Sequence, residues 1–105
     1  MPRVVQRPAA RQDFIIHYAY LAENASLETA QRFRRAVDRT YTELARMPEM
    51  GAPGKVGEGK HSAVRLWRVR GFREYLIAYQ PHREGVAIQR LIHSKQDYHR
   101  VLGPE

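Results

Sequence analysis

The stretch GFREYLIAYQPHREGVAIQRLIHSKQD, Gly71–Asp97, decides the fold. Tyr75, Ile77 and Tyr79 alternate with Leu76, Ala78 and Gln80, and this aromatic and branched content suits a pleated, half-buried strand. Pro81 cannot donate to a ladder and Gly85 tolerates positive φ, so the interval between them reads as a turn. Val86, Ala87 and Ile88 start a second apolar run that continues through Leu91 and Ile92. The whole is a β-hairpin with a polar exit. Arg90 inside the second strand and His93 at its end are unusual for a purely structural hairpin, and they mark it as the first place to look for function.

Just upstream, Ala63–Val69 reads as another strand with a fault in its alternation. Val64 and Leu66 point one way while Trp67 and Val69 point the other, which a bulge or burial on both faces accommodates. Before it, GAPGKVGEGK (residues 51–60) is a glycine-rich connection. Gly54-Lys55 is followed by Val56, and Gly59-Lys60 by His61, so the order of a phosphate-binding P-loop is missing and no nucleotide site is implied. Farther back the period changes to that of a helix. Ala30, Phe33, Val37, Tyr41 and Leu44 follow i, i+3, i+4 spacing after a Ser26 N-cap, and Pro48, Gly51 and Pro53 stop the run. Its other face carries Arg32, Arg34, Arg35 and Arg39, ordinarily a solvated face and otherwise a partner surface.

An earlier helix begins at Pro8, a natural first-turn residue, and ends near Glu23 or Asn24. Phe14, Tyr18 and Leu21 form its stripe, with Ile15, Ala19 and Ala22 widening it. Val4 and Val5 centre a short strand over Arg3–Arg7, and Gln96–Leu102 makes a short terminal helix or tail. The order is β-α-α-β-β-β. It predicts an α+β two-layer domain over residues 1–105, an antiparallel helical hairpin on a mostly antiparallel four-stranded sheet.

The bulk composition narrows the class. At 105 residues with 43% apolar content the chain has the size and make-up of one globular domain. No apolar run approaches the roughly 20 residues of a membrane span, and MPRVVQRP lacks the apolar segment of a secretory signal. Cysteine is absent, which removes disulfides and thiolate metal sites. A cytoplasmic location is expected. The net charge is +7, and of the eighteen basic residues fifteen are arginine, a residue suited to bidentate contacts with phosphate or carboxylate.

Candidate chemistry is correspondingly basic. Arg70-Gly71-Phe72 starts like an RNA-recognition signature, but Arg73 and Glu74 then break it and the element order is wrong. His17, His61, His82, His93 and His99 show no tight ligand spacing, so no metal and no cofactor is expected. Arg65, Arg68, Arg70 and Arg73 are joined later by Arg90 and Lys95 as partner- or anion-binding candidates. With consecutive strand pairing, Arg65, Arg73 and Arg90 lie on adjacent strands, where convergence would stabilise an anionic transition state and His93 or Tyr98 would move the proton. In the ordinary reading these arginines pair with Glu74, Glu84, Asp97 or the carboxylates of a partner protein.

Several segments, taken in order, resemble the RelE/ParE superfamily of bacterial toxins, and its ParE branch in particular. They are Ala9-Ala10-Arg11-Gln12-Asp13-Phe14 with Tyr18, Leu44 followed by MPEMGAPG, Val64-Arg65 with Trp67 and Val69, GFREYLIAYQP, and GVAIQRLIHSKQD with Arg90, His93 and Asp97. The resemblance implies the same β-α-α-β-β-β order, a cytoplasmic bacterial setting and a dedicated antitoxin. That antitoxin wraps the helical hairpin and sheet, and operator DNA is met only through it. ParE-like toxins poison DNA gyrase by binding it and lack nuclease residues. RelE-like toxins cleave mRNA on the ribosome, and in that alternative Arg65, Arg90, His93 and Tyr98 would form the site. The nuclease branch carries a lysine-rich stretch or an acidic base near the third element, where this chain has only Lys55 and Lys60 in a glycine loop. The expectation is therefore a non-enzymatic gyrase inhibitor with no favoured catalytic residue, with a degenerate toxin retained as co-repressor as a further alternative.

Overall fold

Ser26 caps the second helix as its sequence demands: its hydroxyl accepts the Thr29 N–H at 3.0 Å. The computed structural model describes residues 2–53 and 64–96. In chain order it contains β1 (Arg3–Gln6), α1 (Pro8–Asn24), α2 (Leu27–Arg46), β2 (Ala52–Pro53), β3 (Arg65–Val69), β4 (Phe72–His82) and β5 (Gly85–His93). On α2 the spaced residues Ala30, Phe33, Val37, Tyr41 and Leu44 are all buried. Phe33 meets Phe14 of α1 at 5.8 Å and Tyr75 of β4 at 4.7 Å between ring centroids, so it joins both helices to the sheet. Burying a side chain of that kind stabilises by about 1.5–3 kcal/mol.

The sheet runs β1-β5-β4-β3-β2. It has five strands where the sequence suggested four. The extra one is β2, in which Ala52 and Pro53 pair with Leu66 and Arg65. Two residues amid glycine and proline carry no alternation, so nothing in the sequence marks them. One pairing is parallel, β1 on β5, and the other three are antiparallel. The expected C-terminal helix or tail lies outside the described residues.

The long hairpin differs from expectation at Pro81, which does not end its strand. β4 continues to His82, and Arg83-Glu84 form the turn into Gly85. A two-residue turn makes His82 and Gly85 the hydrogen-bonded closing pair, so Pro81 occupies the next rung, where a backbone N–H would face away from β5. β3 ends opposite Tyr79, and the missing donor leaves no acceptor stranded. Gly85 is at φ 153, and an added Cβ would lie 1.9 Å from the Arg3 carbonyl oxygen. The turn glycine thus also admits β1.

Both strand faults resolve as register shifts. Between β4 and β5 the pairing passes from Tyr79–Ile88 to Ala78–Arg90. Val86 and Ile88 face the helices before the shift, and Leu91 faces them after it, while Ile92 joins Val64 and Ala78 on the other side. An apolar run without alternation becomes intelligible once one residue is looped out. Between β3 and β4 the pairing jumps from Arg68–Leu76 to Val69–Phe72, which explains the broken alternation around Trp67.

On α1 the inward stripe is Ala10, Asp13, Phe14, His17 and Leu21; Ile15 and Ala19 face outward, contrary to expectation. Polar Asp13 and His17 belong inside because β1 stops at Gln6, opposite Ile88, and the edge of β5 that faces away from β4 has no strand on it beyond that point among the described residues. Asp13 Oδ2 accepts the Leu91 N–H at 2.9 Å, and His17 Nε2 donates to the Leu91 carbonyl at 2.9 Å. One turn of helix, through two side chains, stands in for a strand. The carbonyl can only accept, so Nε2 carries the proton, and burial lowers the His17 pKa below 6.5. The same Asp13 carboxylate holds the Arg90 guanidinium at 2.7 and 2.9 Å, raising the arginine's pKa.

Denaturation tests both buried polar groups of this region. Asp13→Ala removes the two bonds that the carboxylate accepts from Arg90 and the one from the Leu91 N–H, and urea denaturation is expected to show a loss of about 2–4 kcal/mol. A loss below about 1 kcal/mol would mean the carboxylate is not a main support. The Tyr41 hydroxyl is buried with no hydrogen-bond partner among the described residues, and its pKa is raised by burial, with Asp13 and Asp38 adding to it. Tyr41→Phe removes that orphan, and unchanged or higher stability, by up to about 1 kcal/mol, is expected; a clear drop would contradict it.

Candidate functional site

Arg65 lies opposite Tyr79 on β4, and Arg90 lies opposite Ala78. Adjacent strand residues face opposite sides of a sheet, so the two arginines start from opposite faces. Each is then committed elsewhere. Arg65 donates to the carbonyls of Gly51 at 2.6 Å and Glu49 at 3.3 Å, pinning the chain that leaves α2. Tyr79 completes that anchor, accepting the Gly51 N–H and donating to the Pro48 carbonyl, both at 2.8 Å. An added Cβ on Gly51 would lie 2.6 Å from this hydroxyl, so the approach requires glycine. Arg90 is held by Asp13, with 27% of its side chain exposed.

Arg73 sits six residues from Tyr79 along β4, about 20 Å at the rise of a strand. The three arginines therefore do not converge. Arg68 donates to the Arg73 carbonyl at 2.5 Å, and Arg70 pairs with Glu43 of α2 at 3.1 Å. The Arg70 N–H also bonds Thr40, a buried polar residue of α2 that the apolar pattern hid. Of the carboxylates expected as ordinary partners, Glu84 pairs with Arg3 and Asp97 lies outside the described residues; Asp13 and Glu43 serve Arg90 and Arg70.

His93 closes the sheet. Its Nδ1 accepts the Lys95 N–H at 3.0 Å, and its ring packs edge-on against Tyr75 at 4.8 Å. Tyr75 meets His17 on its other side at 5.1 Å. This is a packed, hydrogen-bonded histidine. Lys95 is exposed beyond it. Tyr98, Lys55 and Lys60 lie outside the described residues. Among those described, no group of three His, Asp or Glu residues is placed to hold a metal ion. No helix of the described residues is long and apolar enough to cross a membrane.

A second surface lies on the helical hairpin. Ile15, Ile16 and Tyr20 of α1 are 59%, 54% and 60% exposed, an apolar strip on the outward face of a helix whose inward face is already satisfied. Beside it a groove of about 380 Å³ is lined by both helices, with Ile15 and Phe14 as apolar wall and Arg11 and Arg34, beside one acid, Asp38, as its charged residues. Placing Ile15 inside the protein hid this strip from the sequence reading. The discriminating signal was Asp13 and His17 at i, i+4, a polar pair marking the buried face.

The fold has a counterpart among solved structures. A chain from the chromosomal ParDE TA system of P. aeruginosa superposes with TM-score 0.69 at 14% identity, covering 89% of this chain and 96% of that one. At that identity the likeness speaks for the fold alone. No curated protein matches the chain in sequence. A family model does: the ParE toxin of the type II toxin–antitoxin system parDE, over residues 4–98, a span that takes in the Asp13 clamp, the arginine-bearing strands and the exposed face of α1. The chain belongs to the ParE toxin family of type II toxin–antitoxin systems.

Proposed function

We propose that this ParE toxin inhibits growth in the cytoplasm by binding DNA gyrase, not by cutting RNA, and that a cognate antitoxin neutralises it by covering the helical hairpin. The observation that carries the first part is the commitment of Arg90. A guanidinium held by two bonds to a carboxylate is poorly available to a scissile phosphate, and Arg65, on the other face, is tied to backbone carbonyls. The acid and the base beside Arg90, Asp13 and His17, are both bonded to the Leu91 backbone. That arrangement supports an inhibitor acting through surface complementarity.

The antitoxin reading rests on the outward face of α1. Ile16 and Tyr20, one turn apart, offer an apolar ridge, and Arg11 and Arg34 flank the adjoining groove. An amphipathic segment that lays apolar residues on the ridge and carboxylates on the rim matches both features. Operator DNA is then met through the antitoxin.

Two measurements test the proposal. Purified toxin should block gyrase supercoiling, or trap cleaved DNA, at amounts comparable to the enzyme, and a translation extract should show no codon-positioned mRNA cuts. Cuts lost in Arg65→Ala or His93→Gln would instead establish the ribonuclease alternative, and growth without any defect would establish a co-repressor only. Ile16→Asp with Tyr20→Asp should weaken antitoxin binding at least tenfold in calorimetry while gyrase inhibition persists. Unchanged antitoxin affinity would remove α1 from the interface.

A further inference from the structure

The β3–β4 hairpin has a groove to which no role has been given above. The register jump from Arg68–Leu76 to Val69–Phe72 leaves Arg73, Glu74 and Tyr75 of β4 with no partner on β3. The space so opened is about 450 Å³, lined by Trp67, Arg68, Val69, Arg70, Gly71 and Arg73. Gly71 forms the turn at φ 83, and a Cβ placed on it would meet nothing within 4 Å, so the mouth is clear.

Three guanidinium groups surround that mouth. Arg68 spends one N–H on the Arg73 carbonyl and Arg70 is bound to Glu43, with 61% of its side chain still exposed. The Arg73 side chain makes no hydrogen bond or ion pair among the described residues and is exposed. Among the described residues the acids nearby are Glu43, already engaged, and exposed Glu74. Arg68 and Arg70 thus also tie the hairpin down, but like charges gathered at its tip repel one another. An anion between them turns that repulsion into attraction.

We infer that this groove binds single-stranded nucleic acid, with a backbone phosphate between Arg68 and Arg73 and a base against the Trp67 indole. Arginine forks match phosphate oxygens two at a time, and an aromatic wall beside them is the pairing that single strands use. An acidic peptide would satisfy the arginines but give the indole no planar partner, which is why nucleic acid is favoured. The groove offers no helix to the major groove, and the hairpin tip is too short to read base edges, so binding is independent of sequence.

The test uses the whole protein and fluorescein-labelled oligo-dT and oligo-U, followed by anisotropy across a salt series. Arg68→Ala with Arg73→Ala should weaken binding at least tenfold. It should also lower the salt slope by about 0.7, the amount for the one phosphate left unneutralised. Trp67→Leu should weaken binding without changing the slope. Arg35→Ala with Arg39→Ala removes the same charge from the exposed face of α2 and should leave both quantities nearly unchanged. Equal losses in the two double variants would reduce the effect to net charge and overturn the site. Competition by poly-glutamate as effective as that by oligo-dT would assign the groove to acidic protein instead. Circular dichroism and retained antitoxin binding show that the variants are folded. Supercoiling by gyrase is read separately, so failure of this site and failure of the gyrase proposal are distinguishable.

Discussion

The carboxylate of Asp13 is the point on which the two layers depend. It sits in the first helix, reaches the last strand, and meets a backbone N–H and a guanidinium with the same pair of oxygens. His17 completes the arrangement from one turn on by taking the carbonyl of the same residue, Leu91. Between them they satisfy the edge of β5 where β1 no longer runs. A buried backbone group without a partner costs roughly what a hydrogen bond is worth, so a sheet this narrow needs such a substitute or a longer first strand. The helix supplies it, and α1 is thereby fixed in position and rotation. Its rotation decides which apolar residues face out, and so gives the molecule its Ile16–Tyr20 ridge.

Strong periodicity made most of the fold legible. The α2 stripe needed no tertiary information, because Phe33, Val37, Tyr41 and Leu44 repeat at the helical spacing and a serine stands at the start. β4 was equally plain up to Gln80. The failures are local and share a cause: each depends on a partner far away in sequence. β2 exists only because Leu66 and Arg65 pair with it. Pro81 is tolerated because β3 has already ended on that side. Ile15 faces solvent because Asp13 and His17 have backbone partners more than seventy residues on.

The site was harder to read than the fold. Arginines on neighbouring strands look convergent when only strand order is known. Facing direction and register shifts then separate them: Arg65 and Arg90 lie one rung apart but on opposite faces, and Arg73 is displaced along β4. His93 held out the same false promise, being a strand-end histidine whose ring nitrogen is taken by a backbone N–H. What sequence could have offered was Asp13, an acid among apolar residues one turn before a histidine. Such a pair on a helix implies either a ligand or an unpaired strand edge.

The parallel seam of β1 on β5 places Arg3 against Gly85, and the clamp places Asp13 against Leu91. Both close loops of nearly the full described length, the slowest kind to form by chance. On the ribosome, the early segments therefore emerge with nothing to pair with, and α1 cannot settle on a strand not yet made. The native surface that α1 presents exists only after the last strand has left the exit tunnel. Synthesis thus has a built-in delay between the appearance of the chain and the appearance of a competent toxin. Any prematurely terminated product lacking β5 is left without the clamp, the seam and the fold.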